Sequence, residues 1–396
     1  AKVQKLVQMK RESKMKTNEE WKLPLYKIYT DDEDVSLVTK VIKRGNGWAM
    51  GPEIEELENT IKNYLGIDYC VTFNSGTSAL HAILLANGIK KNDEIIIPSF
   101  SFISTANSIL FVNGKPIFSD IEEENLGLDP EKISEKITPK TRAIMPMDYG
   151  GLSCKINKIK EISEKNNLTL IEDAAEAFGS SINGQKVGTV SDAAIFSFCG
   201  NKVLTTGEGG AVIIKSKSMY EKLKLIRSHG RIDTQNYFNN PEESKYVGIG
   251  YNWRMSSITA ALGLSQLSKL DLLIKKRREN AHKLNHKLSK WSQIRIPSEP
   301  KGYKHIYQMY TIRLTNKKIR DDLKDFLLKK KIFCKVYFNP IHKTSFYREK
   351  FGEINNLHVT EKICDQILTL PMYPNMTNDE INYLVDSISE FFEYNN

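Results

Sequence analysis

The sequence predicts an α/β fold: a large, mainly parallel sheet domain followed by a smaller α+β domain. Between residues 69 and 173, short continuous apolar runs alternate with segments of helical periodicity. That is the pattern of strands buried on both faces and covered by helices. The connecting turns are polar and carry glycine, as at Asn74-Ser75-Gly76-Thr77. The composition then shifts around residues 270–290, beyond which shorter strand and helix patterns follow.

The elements read in order as follows. Residues 31–43 carry Val35, Val38, Val41 and Ile42 at helical spacing, with acids at the start. Gly45-Asn46-Gly47-Trp48 breaks that helix, and Trp48 is either a packing anchor or a lid over a site. A second helix spans 54–65. Strands are expected at 69–73, 94–98, 115–119, 141–147 and 168–172, the last ending on Asp173, with helices at 79–87, 102–111 and 156–165. Apolar runs at 193–198 and 211–215 flank a glycine-rich turn. A helix over 217–228 ends near His229-Gly230-Arg231, and 232–250 is polar, aromatic and irregular. One long helix over 255–275 continues through 276–290. Strands at 305–314 and 332–337 and helices at 318–330, 356–369 and 378–394 complete the chain. This divides it into a flexible N-terminal arm (1–22), a large domain (23–275) and a small C-terminal domain (276–396).

Composition narrows the class. The chain has 396 residues, 40% hydrophobic and 27% charged, enough for a sizeable core. The formal charge of +9 comes mostly from lysines scattered along helical segments. No Lys/Arg run interleaved with aromatics reads as a nucleic-acid strip. No stretch of about 18 apolar residues reads as a membrane span. The N-terminal segment is basic and polar without an apolar centre, unlike a secretory signal. The cysteines at 70, 154, 199, 334 and 364 are five, far apart and without CxxC spacing. Neither a disulfide framework nor a metal site is expected, and a reducing, cytoplasmic compartment fits.

The chemistry centres on residues 197–210, Ser-Phe-Cys-Gly-Asn-Lys-Val-Leu-Thr-Thr-Gly-Glu-Gly-Gly. Lys202 sits between an apolar run and a glycine-rich turn. A lysine at a strand end in a partly apolar site can lose its proton and act as an amine nucleophile; a surface lysine beside a hairpin is the alternative. Gly76 and Thr77 open a helix directly after a strand, where free N–H groups and the helix dipole favour a phosphate. Ser197 can add a hydroxyl to the same phosphate. Asp173, at the inner end of an apolar strand, either meets a protonated ring nitrogen or caps the helix that follows. Phe102 either stacks on a planar ring or packs in the core. Glu176 either reaches a ligand oxygen or is solvated. Phosphate cup, stacking ring, carboxylate and amine together describe one cofactor, pyridoxal 5′-phosphate.

With those residues in view, the sequence resembles the DegT/DnrJ/StrS family of pyridoxal-phosphate-dependent sugar aminotransferases. The resemblance rests on residues 74–102 (NSGTSALHAILLANGIKKNDEIIIPSFSF), 171–179 (IEDAAEAFG), 197–210, 250–267 (GYNWRMSSITAALGLSQL) and 368–374 (LTLPMYP). It implies an aspartate-aminotransferase-like fold and a homodimer with shared active sites. Lys202 then corresponds to the Schiff-base lysine and proton shuttle, and Asp173 to the partner of the pyridine nitrogen. Gly76, Thr77 and Ser197 correspond to the phosphate site, Phe102 to the stacking ring, and Glu176 to a neighbour of the ring hydroxyl or substrate. Asn252 corresponds to a residue that reaches the phosphate of the neighbouring subunit's cofactor. The implied reaction passes an amino group from L-glutamate to a nucleotide-linked 4-keto-6-deoxy sugar, most like perosamine synthase-type members. Trp48, Arg231 and His342 are candidate sugar-nucleotide contacts. Cys199 and Met147-Asp148 depart from the common family pattern, which has a bulkier residue and Val-His there. A 3-keto-sugar aminotransferase, a sugar dehydratase and a non-catalytic regulator on the same fold are alternatives. The dehydratases carry histidine in place of Lys202.

Overall fold

The computed structural model describes residues 21–232 and 245–394. The expected N-terminal arm falls almost wholly outside the described residues, as does most of the irregular 232–250 segment.

The first helix, α1 (Asp32–Arg44), is set by local chemistry. The Asp31 side chain accepts the N–H groups of Glu33 and Asp34 in a capping box, an arrangement that stabilises a helix start by about 1 kcal/mol. Gly45 ends it at φ 76°, a left-handed conformation that favours glycine. Helix α2 (Pro52–Leu65) follows.

The main body is a seven-stranded sheet in the order β1-β9-β8-β5-β4-β2-β3. Its strands are β1 (Tyr69–Phe73), β2 (Glu94–Pro98), β3 (Lys115–Ser119), β4 (Thr141–Ile144), β5 (Thr169–Asp173), β8 (Ala193–Ser197) and β9 (Gly210–Ile214). A short hairpin, β6 (Ser181–Ile182) and β7 (Gln185–Lys186), lies apart from it. Neighbours from β8 through β3 pair parallel; β9 pairs antiparallel with both β8 and β1. All strands but β9 therefore point one way, and their carboxyl ends open on one edge. In β2, Ile95, Ile96 and Ile97 have no exposed surface, each burial contributing roughly 1.5–3 kcal/mol. Helices α3 (Gly76–Ala86), α4 (Ile103–Phe111) and α7 (Lys217–Arg227) contribute to one apolar layer, and α6 (Ile156–Lys165) to another. The short α5 (Pro130–Ile133) sits with α6.

Where one long helix was expected after residue 255, there are two: α8 (Ser257–Ser268) and α9 (Leu270–Leu288). The break falls at Lys269, whose buried ammonium is ion-paired with Asp34 at 3.1 Å and with Asp31. That pairing ties the junction to the start of α1. Helix α9 runs from one apolar core, shared with β8 and β9 (Leu270, Leu273, Ile274), into a second core built from Ala281, Leu284 and Leu288 onward.

The C-terminal region contains β12 (Tyr310–Leu314), α10 (Lys317–Lys329), α11 (Ser345–Phe351), α12 (His358–Gln366), β13 (Ile367–Leu370) and α13 (Asn378–Tyr394). β12 lies between β10 (Ile294–Arg295) and β13; β11 (Tyr303–Lys304) pairs with β6. Three expectations are corrected here. The helix expected over 356–369 stops at Gln366, and the run Ile-Leu-Thr-Leu becomes a fully buried strand beside β12. A short apolar run does not by itself separate helix from strand; here the pairing partner decides. Residues 332–337 make only isolated bridges, Leu23 to Ile332 and Lys335 to Thr369. Residues 305–309 do not extend β12: the N–H groups of Ile306 and Met309 bond instead to Gly151 and Gly150.

Candidate active site

The carboxyl edge of the sheet gathers the expected groups. Helix α3 starts immediately after β1, with Ser75 as N-cap accepting the Ser78 N–H at 3.0 Å. The first N–H groups of a helix have no acceptor within it, which leaves those of Gly76 and Thr77 available to an outside acceptor. Two glycines let backbone approach backbone. A Cβ on Gly76 would lie 2.9 Å from Ser197 Cβ, and one on Gly210 would lie 2.7 Å from the Gly76 nitrogen. Ser197 ends β8 directly beside this turn.

Helix α4 connects the rest. Phe102 is its N-cap residue and is 51% exposed, unusual for a large apolar side chain beside a sheet edge. Ser104 Oγ lies 2.9 Å from Thr77 Oγ1. Thr105 donates its hydroxyl to Asp173 Oδ2 at 2.7 Å. Asp173, 3% exposed, also accepts the Ala175 N–H at 3.3 Å. Burial pushes its carboxyl above the ordinary value, while the two hydrogen bonds and the Lys202 charge oppose that shift. Among the described residues no cation is ion-paired with Asp173. A buried carboxylate with only neutral donors lacks the partner that would offset its desolvation.

Lys202 is mostly buried, and its Nζ lies 3.2 Å from Glu176 Oε1. Glu176 Oε2 accepts the Gly150 N–H at 3.0 Å. Burial, and after it the Glu176 charge, pushes the Tyr337 phenol above its ordinary value. The residues present thus fit pyridoxal phosphate: an incompletely partnered buried carboxylate, a glycine-lined helix terminus, an exposed ring and a held lysine.

The other expected residues sit elsewhere. Asn252 is exposed and bridges Ser228; the next residue, Trp253, accepts the Asn74 N–H at 2.9 Å, next to the α3 turn. Trp48 is 47% exposed, and its indole N–H donates to the Val41 carbonyl at 3.0 Å. Arg231 is buried against Ser228 and the Met50 sulfur. His342 departs from the expected sugar contact. It is 1% exposed, with Nδ1 2.7 Å from Ser99 Oγ and Nε2 3.2 Å from Glu361, so its ring is engaged in packing.

Sequence reasoning missed Ser104, Thr105, Gly150 and Tyr337, whose residue types carry no signal outside the fold. It noted Met147-Asp148 as unusual without a reason. Asp148 and Glu172 are fully buried side by side: Asp148 Oδ1 accepts the Cys154 N–H, and Glu172 Oε2 the Ser191 hydroxyl. Their other oxygens, Asp148 Oδ2 and Glu172 Oε1, have no hydrogen-bond partner among the described residues; burial raises both carboxyls, and the Glu172 charge raises Asp148 further.

Comparison with known proteins identifies the family. Residues 29–389 match the DegT/DnrJ/EryC1/StrS aminotransferase family. The chain is 33% identical over 370 residues to a GDP-perosamine synthase of Escherichia coli O157:H7, covering 93% of this chain and 98% of that one. Among solved structures it is similar to Helicobacter pylori PseC, an aminotransferase involved in the biosynthesis of pseudoaminic acid. The TM-score is 0.88 at 28% identity, over 95% of this chain and 100% of that one. It is also similar to NtdA of Bacillus subtilis with bound cofactor PMP, with a TM-score of 0.84 at 28% identity over 96% and 87% of the two chains. The chain belongs to the DegT/DnrJ/EryC1/StrS aminotransferase family and is a pyridoxal-phosphate-dependent sugar aminotransferase.

Proposed function

We propose that this enzyme transfers the amino group of L-glutamate to C4 of a nucleotide-linked 4-keto-6-deoxy sugar, giving an amino sugar for glycan or polysaccharide synthesis. The observation that carries the reading is the meeting of Asp173, the Lys202–Glu176 pair and the α3 terminus at one sheet edge. The likeness to a GDP-perosamine synthase supports the sugar class.

Pyridoxal phosphate, when bound, supplies the electron sink that makes the donor's α-proton acidic. The N–H groups of Gly76 and Thr77 and the Ser197 hydroxyl would hold its phosphate. Phe102 offers its exposed ring for stacking. The Asp173 carboxylate, oriented by Thr105, would hold the cofactor's ring nitrogen in its protonated form. Lys202 Nζ would take the proton from the donor's α-carbon and pass it on to the cofactor, and in the second half would deliver a proton to C4 of the sugar. Glu176 Oε1 holds the resulting ammonium, and the Gly150 N–H holds Glu176 in turn.

We divide the chain near residue 276 into a large cofactor domain and a small domain, the division crossing α9. We further infer a cytoplasmic homodimer in which exposed Asn252 reaches the phosphate of the neighbouring site. Trp48 and Arg231 stand near Met50 on the wall proposed for the sugar nucleotide.

The test is the absorbance spectrum of the holoenzyme with L-glutamate, followed by a panel of nucleotide-linked 4-keto and 3-keto sugars. The expected outcome is a spectral change with release of 2-oxoglutarate, then amination of a 4-keto sugar. No response to glutamate would refute the donor, and amination confined to 3-keto sugars would refute the position.

A further inference from the structure

The loop that carries Lys202 is anchored from a distant part of the chain. Gln308 is 5% exposed. Its Oε1 accepts the Val203 N–H at 2.7 Å, and its Nε2 donates to the Asn201 carbonyl at 2.7 Å. One side-chain amide therefore binds the two peptide groups on either side of Lys202, as an adjacent strand would. These partners also fix the amide's orientation, since a flipped amide would oppose donor to donor and acceptor to acceptor. The loop contributes a bond of its own at this point, from the Lys202 N–H to the Cys199 carbonyl at 2.9 Å. Gln308 adds the next two.

The anchor is itself fixed. Buried Arg277 donates from Nη1 to the carbonyls of Tyr307, Gln308 and Met372 at 3.1, 3.3 and 3.2 Å. Next to Gln308, Met309 donates its N–H to the Gly150 carbonyl at 3.0 Å. The Gly150 N–H binds Glu176, and Glu176 binds the Lys202 ammonium. The same short segment, 308–309, thus reaches Lys202 by two routes: directly at its backbone, and through Gly150 and Glu176 at its amine.

We propose that Gln308 is the positioning residue for Lys202, setting the point from which its amine reaches the donor's α-carbon. This rests on the reading of Lys202 as the reacting amine. A displacement of about 1 Å in a reacting group is enough to lower a rate roughly 100-fold without changing binding. The effect of losing the amide should therefore fall on proton transfer and not on substrate affinity.

The test uses the holoenzyme with Gln308→Met, which keeps length and loses both bonds, and Gln308→Glu. In Gln308→Met, hydrogen exchange at the Val203 amide should accelerate about tenfold or more. Its kcat should fall roughly 100-fold with KM for glutamate little changed. The primary isotope effect with α-deuterated glutamate should rise, because proton transfer becomes the slow step. Gln308→Glu still accepts from Val203, but donates to Asn201 only when protonated. Its kcat relative to the parent enzyme should therefore recover as pH falls. Unchanged Val203 exchange in Gln308→Met would overturn the anchor. Faster exchange with unaltered kcat and isotope effect would overturn the positioning role. Should Gln308→Met not fold, a pH-independent kcat ratio for Gln308→Glu would overturn it equally. Turnover in Lys202→Ala would instead refute the reading of Lys202, while leaving Val203 exchange dependent on Gln308.

Discussion

Asp173→Asn removes one negative charge and little volume from the floor of the site. In the native protein that carboxylate is 3% exposed and held by Thr105 at 2.7 Å and Ala175 at 3.3 Å. An ionised carboxylate about 4 Å from a positive charge gains about 4 kcal/mol at an effective dielectric of 20. In the function proposed above, the native carboxylate would apply that energy to keeping a ring nitrogen protonated. Each 1.36 kcal/mol is a factor of ten in rate, so losing most of it lowers kcat by about 10²–10³-fold. Asparagine keeps only one acceptor, so of the bonds from Thr105 and Ala175 one is lost or must reverse, the Thr105 hydroxyl turning from donor to acceptor. That reduces folding stability by roughly 1–3 kcal/mol. The two effects separate experimentally. Steady-state turnover with L-glutamate gives the first, and the urea midpoint gives the second. A folded Asp173→Asn enzyme with kcat within a few-fold of the parent would refute the ring-nitrogen role.

Two further outcomes are expected. Gly76→Ala places a Cβ 2.9 Å from Ser197 Cβ, so the α3 terminus and the end of β8 must separate. Overpacking of this kind costs about 1–3 kcal/mol, and cofactor affinity measured by titrating the stripped protein should weaken by roughly 10- to 100-fold. The Asp148–Glu172 pair should make stability depend on pH. Both carboxyls are raised in the folded state by burial, with Cys154 and Ser191 as neighbours and the charge of Lys215 acting on Glu172 the other way. An acid raised on folding contributes its stability below the unfolded pKa, about 4, and loses it as pH rises through the folded value. The urea midpoint should therefore decline as pH rises from about 4 towards the alkaline side. Asp148→Asn removes one of the two raised acids and should flatten that decline; an equal slope in both proteins would refute the contribution of Asp148.

Much of the architecture was legible because the central strands are buried on both faces. Their apolar runs mark 69–73, 94–98 and 115–119 with the bounds the structure has. Asp173, Ser197 and Lys202 were legible because each lies at or just beyond such a run, where open α/β sheets place ligands. The glycines of 74–76 and 207–210 signal close backbone approach, and the structure sets Gly210 against the Gly76 nitrogen.

What the tertiary structure alone decided depends on partners remote in sequence. The strand at Ile367–Leu370 forms because β12 lies beside it. The break at Lys269 accompanies its pairing with Asp31 and Asp34, more than 200 residues earlier. Gln308 reads as one polar residue in a strand-like run until the fold carries it across 105 residues to Val203. Local pattern reflects burial and backbone preference, which a residue shares with its sequence neighbours. A hydrogen bond to a distant peptide, or two acids buried side by side, leaves no periodic trace and exists only once the chain has folded.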